Sequence, residues 1–416
     1  MTVCVHGLGY IGLPTAAVLA DAGEAVLGYD ASQSVRESLI DGTVHVDEPG
    51  LTDLVKRQIE TGDLTIVPEP APANVHVVCV PTPFDEDRKE PDLEYVKQCA
   101  RSIAEILRPG DAVVLESTVP PGTTTNVFRP LLESSGLLAG EDFALAHCPE
   151  TVLPGNILTE LKQNDRVIGG VDAASCDAAI ALYETFVAGD LRTTDATTAE
   201  FVKLIQNTFR DTNIAFANEV AKIAAEHEID SRTAIELANE HPRVDILDPG
   251  PGVGGHCLPV DPWFLVQQST RTELIETARQ VNDSMVDYVI DELDECLGGL
   301  AGRQIAILGV AYKGDVDDAR RSPGLDLSRK LQRRTDGRID VRLHDPHVVD
   351  QVLNLQPLDN ALDGADVTVL VTDHSDFAEL RPVEIAERMD GHVVFDTKAM
   401  LNAAEWESAG LEVIKI

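Results

Sequence analysis

Cys257 sits in the run Asp248-Pro-Gly-Pro-Gly-Val-Gly-Gly-His-Cys-Leu-Pro-Val-Asp261. No core element tolerates that glycine density, so the run is a loop whose backbone comes close to something. A thiol there, beside His256 and four residues before Asp261, is either a nucleophile or loop filler. A free thiol titrates near ~8.5, and neighbouring cations or a helix N-terminus lower that value. Lys203, Asn207 and Arg210 form a second group. Spaced i, i+4 and i+7, they share one face of a helix. Buried unpaired they would cost several kcal/mol, so they are tied into internal salt bridges or they line a polar site for an anionic ligand. The third group is Gly7-Leu8-Gly9-Tyr10-Ile11-Gly12, with Asp30 eighteen residues beyond the last glycine. A strand precedes it and a helix follows it. That combination is a dinucleotide fingerprint, with glycines that let backbone approach a pyrophosphate at a helix N-terminus. Asp30 would bond a ribose 2′-hydroxyl and repel a 2′-phosphate, which favours NAD over NADP.

The elements that must hold these groups can be read from the pattern. Residues 2–6 and 25–29 are apolar strand runs around the glycine turn. Further strands are expected at 75–80, 112–116, 143–146 and 166–169, alternating with helical segments, which indicates a doubly wound parallel sheet. Ligands of such sheets sit beyond the carboxyl ends of strands. Those ends carry Pro81-Thr82-Pro83, Ser117-Thr118-Val119-Pro120-Pro121-Gly122 and Cys148-Pro149-Glu150. A helix from Thr197 to about His227 follows, without Gly or Pro. At ~1.5 Å per residue it would span about 45 Å. Thr197 and Glu200 have the form of a capping box. Its apolar residues lie nearly all round, so it is expected to be buried. A helix over 273–297 leads to a second alternating region, with strands at 305–310, 341–344, 367–371 and 393–395. Its first turn, Gly309-Val-Ala-Tyr-Lys-Gly, lacks the full glycine set, so no dinucleotide is expected there. Lys313, Arg320, Arg321 and Lys398 stand at turns or strand ends and could hold a phosphate. The expected architecture is α/β. Two Rossmann-like doubly wound parallel-sheet domains (1–195 and 298–416) are joined by the long central helix and a small helical domain (196–297).

Composition excludes several classes. The chain has 416 residues, 44% of them hydrophobic, with 71 acidic against 33 basic residues and a net charge of -38. Lysine is scarce, 10 against 23 arginines. Such a surface argues against nucleic acid and anionic membranes as partners. It suggests a salt-rich, halophilic setting, where a short Debye length screens self-repulsion. No apolar run is long enough for a membrane span, and no secretory signal is seen. The seven cysteines show neither disulfide nor metal spacing. Cys79 and Cys148 read as packing, no metal is expected, and the chain reads as cytoplasmic.

The succession GLGYIG, CVPTPF, ESTVPPGTT, CPETVLPG, NDRVIGG, KLIQNTFRDTNIAFANE, HPRVDILDPGPGVGGHCLPVDPWF and GVAYKGDVDDARRSP resembles the nucleotide-sugar 6-dehydrogenases. The resemblance runs from the first strand to Lys398. It is nearest to members acting on a UDP-N-acetylhexosamine, with the N-acetyl-D-mannosamine sugar favoured. It implies NAD as cofactor, a UDP-sugar substrate and a homodimer joined through its central helices. The implied reaction is a four-electron oxidation of a C6 alcohol to a carboxylate, through a thiohemiacetal and a thioester, for surface glycan synthesis. By motif, Cys257 corresponds to the nucleophile and Lys203 to the acid-base and oxyanion group. Asn207, Asp261, Thr118 and Glu150 serve the water and oxyanion machinery. Thr151, Val152, Arg210, His241, Arg243, Gly254, Tyr312, Lys313 and Lys398 fall at substrate positions, together with Lys203 and Asn207. Gly7, Gly9, Tyr10, Ile11, Gly12, Asp30, Thr82, Thr118 and Arg320 fall at NAD positions. Thr151 departs from the family pattern, which has Arg there as a substrate contact. UDP-N-acetylglucosamine and UDP-glucose are the alternative substrates. A 3-hydroxyacid-type dehydrogenase, which oxidises once and needs no Cys257, is the alternative mechanism.

Overall fold

The computed structural model describes residues 1–416. The chain divides into two compact units, 1–206 with 263–270, and 207–262 with 271–416.

In the first unit, strands β1 (Thr2–His6), β2 (Ala25–Tyr29), β3 (Leu64–Ile66), β4 (Val75–Val78), β7 (Ala112–Leu115), β8 (Ala144–His147), β9 (Arg166–Gly170) and β10 (Leu191–Asp195) form one sheet. A small hairpin, β5 (Phe84–Asp85) and β6 (Glu90–Pro91), stands apart from it. The order is β10-β9-β8-β7-β4-β1-β2-β3. Strands buried on both faces read as continuous apolar runs, and so 2–6, 75–78 and 112–115 were visible in the sequence. One face of the sheet carries Val3, Val5, Val75 and Val77 against helix α1 (Gly12–Asp21). The other carries Val78, Val113 and Leu115 against Val96, Ile103 and Phe128. All pairings are parallel except β8 with β9, which is antiparallel, so the doubly wound sheet is not parallel throughout.

In the second unit, β11 (Gln304–Leu308), β12 (Asp340–His344), β13 (Val367–Leu370), β14 (Val393–Asp396) and β15 (Glu412–Lys415) form a wholly parallel sheet of order β12-β11-β13-β14-β15. Val289, Leu293, Ile305 and Ile307 fill one face, and Leu308, Phe377 and Trp406 the other. The helix expected over 273–297 is two helices, Glu273–Asp283 and Met285–Leu297. At the break, the Ser284 hydroxyl donates to the Val281 carbonyl (2.8 Å) and accepts from Lys222 Nζ (3.0 Å).

Helix α2 (Ala196–Glu226) runs from the first unit into the second. Two expectations about it are corrected. The N-cap is Asp195, whose carboxylate accepts from the Thr198 amide (2.9 Å) and hydroxyl (2.5 Å). No capping box forms, because the Glu200 carboxylate instead accepts from the amides of Gly122 (2.5 Å) and Thr124 (2.6 Å) and from the Thr124 hydroxyl (2.6 Å). Nor is α2 buried all round. Phe201 (45% exposed), Phe209 (64%), Phe216 (56%) and Ile223 (50%) lie open, while its buried face is made of Ala199, Leu204, Ala217, Ala221 and polar side chains. Apolar periodicity cannot say which face is covered when small and polar residues take the inside.

Candidate active site

The glycine turn of the first unit is built for close approach. Gly7 has φ of +91°, and a Cβ on Gly12 would fall 1.8 Å from the Gly7 carbonyl oxygen. Helix α1 can begin there only without a side chain at that position. Gly9 is different: a Cβ there would meet nothing within 4 Å. The protein's own packing does not require this glycine, so the bare position suits an external group. The helix that follows has no side-chain cap, leaving orphan N–H groups for an anion. Asp30 is oriented by the amides of Leu8 and Ser32, both at 2.8 Å, and a carboxylate has lone pairs beyond those two. These residues fit a dinucleotide pyrophosphate and its adenosine ribose. The second unit's turn does not, since a Cβ on Gly309 would strike the Thr372 side chain at 2.4 Å. That turn is filled by its own neighbouring strand end.

Beyond the strand ends of the first unit, the Thr82 hydroxyl donates to the Thr118 carbonyl (2.9 Å). The loop after Thr118 is held by Glu200, as described above. Glu150 follows β8 and accepts from the Val152 amide, and the Thr151 carbonyl accepts from Asn164 (3.4 Å). Burial pushes the Glu150 carboxyl up to about 7, against the opposing pull of Lys203 and Arg166. Lys203 is 8% exposed. Beneath Glu150 lies a group that sequence reasoning passed over. Glu116, 2% exposed, accepts from the Tyr183 hydroxyl (2.6 Å) and the Cys79 thiol (3.1 Å), with Arg166 at 3.8 Å. The sequence signal was a carboxylate flush against the apolar strand 112–115. Burial pushes the Cys79 thiol well up, which keeps it inert.

In the second unit, Asn207 donates to the Asp261 carboxylate at 2.6 Å, both side chains being buried. The Cys257 carbonyl accepts from the amides of Val260 (3.0 Å) and Asp261 (2.8 Å), while the residue itself is exposed and in no disulfide. The glycine loop is pressed onto the turn after β11. A Cβ on Gly254 would lie 2.9 Å from Tyr312 Cβ, and one on Gly255 2.9 Å from the Tyr312 ring. The Gly250 amide donates to Asn218 (2.8 Å), which donates to Asn282 (2.9 Å), which donates in turn to Asp211 (2.8 Å). Asp211 also takes Arg279 at 2.5 Å. A buried salt bridge therefore does exist on α2, but it uses Asp211 and not Lys203 or Arg210.

The basic residues divide into groups. Lys398 lies 3.6 Å from Asp373, and Gly314, next to Lys313, abuts the Asp373 backbone. Both lysines thus stand at the carboxyl edge of the second sheet. Arg320 belongs to this unit too, with its guanidinium bidentate on Asp318 (2.8 and 2.6 Å), and His256 lies 3.9 Å from the same carboxylate. His241 and Arg243 are exposed and face one another at 3.4 Å. Arg243 lines a hollow of about 590 Å³ with Phe209, Phe216 and Leu274. Arg210 is exposed, so the polar face of α2 has two buried members and one open one.

This geometry has counterparts. Residues 1–187 match the NAD binding domain of the UDP-glucose/GDP-mannose dehydrogenase family, residues 197–284 its central domain, and residues 306–403 its UDP binding domain. The chain belongs to the UDP-glucose/GDP-mannose dehydrogenase family. It is an NAD-dependent nucleotide-sugar dehydrogenase, as the resemblance implied. It is 44% identical over 416 residues to the UDP-N-acetyl-D-mannosamine dehydrogenase of Methanocaldococcus jannaschii, covering 99% of this chain and 95% of that protein. It is 43% identical over 418 residues to an NDP-N-acetyl-D-galactosaminuronic acid dehydrogenase of Ralstonia solanacearum, covering 97% and 96%. The solved UDP-D-ManNAc dehydrogenase of Pyrococcus horikoshii superposes with a TM-score of 0.93 at 39% identity, covering 100% of this chain and 99% of that one. No helix is long and apolar enough to cross a membrane.

Proposed function

We propose that this dehydrogenase oxidises the C6 alcohol of UDP-N-acetyl-D-mannosamine to the carboxylate in two steps, with Cys257 as the covalent nucleophile. The observation that carries this reading is the buried 2.6 Å bond from Asn207 to Asp261, four residues after an exposed thiol. NAD, when bound, accepts the hydride in each oxidation. Lys203 lies one turn before Asn207 on the same face of α2. It takes the alcohol proton as the aldehyde forms, and with Asn207 it stabilises the oxyanions, a role worth roughly 3–4 kcal/mol per donor. The Cys257 thiolate adds to the aldehyde, giving a thiohemiacetal that cannot diffuse away. Loss of the second hydride leaves a thioester. Water hydrolyses it, releasing the carboxylate and returning the thiol. Asp261, Glu150 and Thr118 are assigned to orienting and deprotonating that water. A carboxyl poised near neutrality, as Glu150 is, suits such a task.

Lys313 and Lys398 are assigned to the UDP phosphates, with Tyr312 and Gly254 beside them. The open apolar stripe of α2 supports a homodimer formed through this helix, which would bring His241, Arg243 and Arg210 to the edge of the interface. The acidic sugar produced suits surface glycan synthesis, and the net charge of -38 suits a salt-rich cytoplasm. The test is NADH release from a panel of UDP-sugars, with the product weighed by mass spectrometry. Two NADH per UDP-N-acetyl-D-mannosamine and a uronate product are expected. A marked preference for the N-acetylgalactosamine sugar would move the substrate toward that of the Ralstonia relative. One NADH per sugar would overturn the covalent mechanism.

A further inference from the structure

We propose that Cys4, His6 and His76 form a buried three-donor site for a zinc ion, on the face of the first sheet covered by the helix Glu94–Ala104. Nothing in the proposed oxidation uses these residues. Cys4 and His6 are two apart on β1, so their side chains share a face. His76 is the register partner of Cys4 on β4, which places it on that face as well. Ligand atoms from the three lie within 4.8 Å of one another. His6 Nε2 and His76 Nδ1 are 3.1 Å apart. A tetrahedral zinc with Zn–N of about 2.0 Å and Zn–S of about 2.3 Å holds its donors roughly 3.3–3.6 Å apart. Small side-chain rotations would therefore close this set on an ion.

The second observation is polar bookkeeping. His6 is 1% exposed and His76 and Cys4 are 0% exposed. The contact between the imidazoles satisfies one nitrogen of each, while His6 Nδ1 and His76 Nε2 have no hydrogen-bond partner. Buried imidazole nitrogens without partners are costly in a core that otherwise consists of Val78, Val113, Leu115 and Ile103. With no partner at the second nitrogen of either ring, neither imidazole is anchored away from the set, and both can turn to share an ion with the Cys4 thiolate. Cys99 lies on the covering helix Glu94–Ala104. Binding would release the Cys4 proton and would couple to folding, since the site is closed to solvent. The ion would tie β1 to β4 directly beneath the cofactor turn.

The test uses the full chain, expressed with zinc and washed with EDTA to strip the acidic surface. Denaturation in the presence of a chromogenic chelator then reads the metal that remained. A full equivalent is expected for the wild type and for Cys257→Ser, and loss of at least about ninety per cent of it for Cys4→Ser and His76→Phe. Refolding of EDTA-treated chain with cobalt should give a thiolate-to-metal absorption band that Cys4→Ser lacks. Far-UV circular dichroism and NADH binding establish that each variant is folded. Should His76→Phe not fold, Cys4→Ser alone decides the matter. A metal-free wild type with no cobalt band, or a folded Cys4→Ser that keeps its full equivalent, would overturn the proposal. Neither result depends on the catalytic reading.

Discussion

Replacing Glu150 with Gln should remove a pH dependence of stability that can be worked out in advance. Burial raises this carboxyl from 4.5 to about 7, with Lys203 and Arg166 pulling the other way and Glu116 and Glu160 adding to the rise. Between those two values the folded chain keeps a proton that the unfolded chain has lost. Stability therefore falls as pH rises through that window and levels off above it. At 1.36 kcal/mol per pKa unit the full effect is roughly 3 kcal/mol. The assay is denaturant unfolding of wild type and Glu150→Gln at constant molar salt, from pH 5 to pH 8. Other groups titrate in the same range, so the quantity of interest is the difference between the two proteins. Glu150→Gln should gain on the wild type by about 3 kcal/mol across the window. The acidic limb of the kcat profile, where protonation silences this base, should vanish in the same variant. Parallel stability curves would refute the reasoning, because they would mean that Glu150 ionises as freely in the folded chain as in the unfolded one.

Cys257→Ser should still bind NAD and the UDP-sugar but lose steady-state turnover by several orders of magnitude; near-normal turnover would return Cys257 to the status of loop filler. The two glycines of the cofactor turn should separate cleanly. Gly9→Ala should leave the melting temperature near wild type while weakening NAD binding, because only the cofactor occupies that space. Gly12→Ala should lower the melting temperature as well, because its Cβ meets the Gly7 carbonyl at 1.8 Å. Thermal unfolding and NADH fluorescence titration read both variants. Stability should also rise from dilute buffer to molar salt as the -38 charge is screened, and full stability in dilute buffer would leave the acidity without that explanation.

Much of the chemistry was legible because it is local. The turn Gly7–Gly12, Asp30 and the loop around Cys257 announce themselves by glycines at fixed spacing, since only glycine fits where backbone crowds backbone or ligand. β1 fell on the expected residues because a strand buried on both faces reads as a continuous apolar run, and β2 because its apolar residues follow directly on the helix after the glycine turn. β10 escaped notice because Leu191–Asp195 is a half-exposed edge strand with polar residues, and its pairing with β9, not its composition, makes it a strand. Glu200 shows the same limit. Its spacing from Thr197 satisfies a local capping rule, but its partners at Gly122 and Thr124 are more than seventy residues away and offer three donors at once. The length of α2 could be read from its composition, but which face is covered could not. The inside took Lys203, Asn207, Asp211 and alanines, because buried polar partners such as Asp261 and Arg279 come from distant segments. Cys4, His6 and His76 have no metal spacing in the sequence and become neighbours only through the parallel register of β1 and β4. Sequence determines what each residue can do and which short segments it favours. Register and packing decide which residues do it together, because the interaction energies that select partners depend on distance in space and not along the chain.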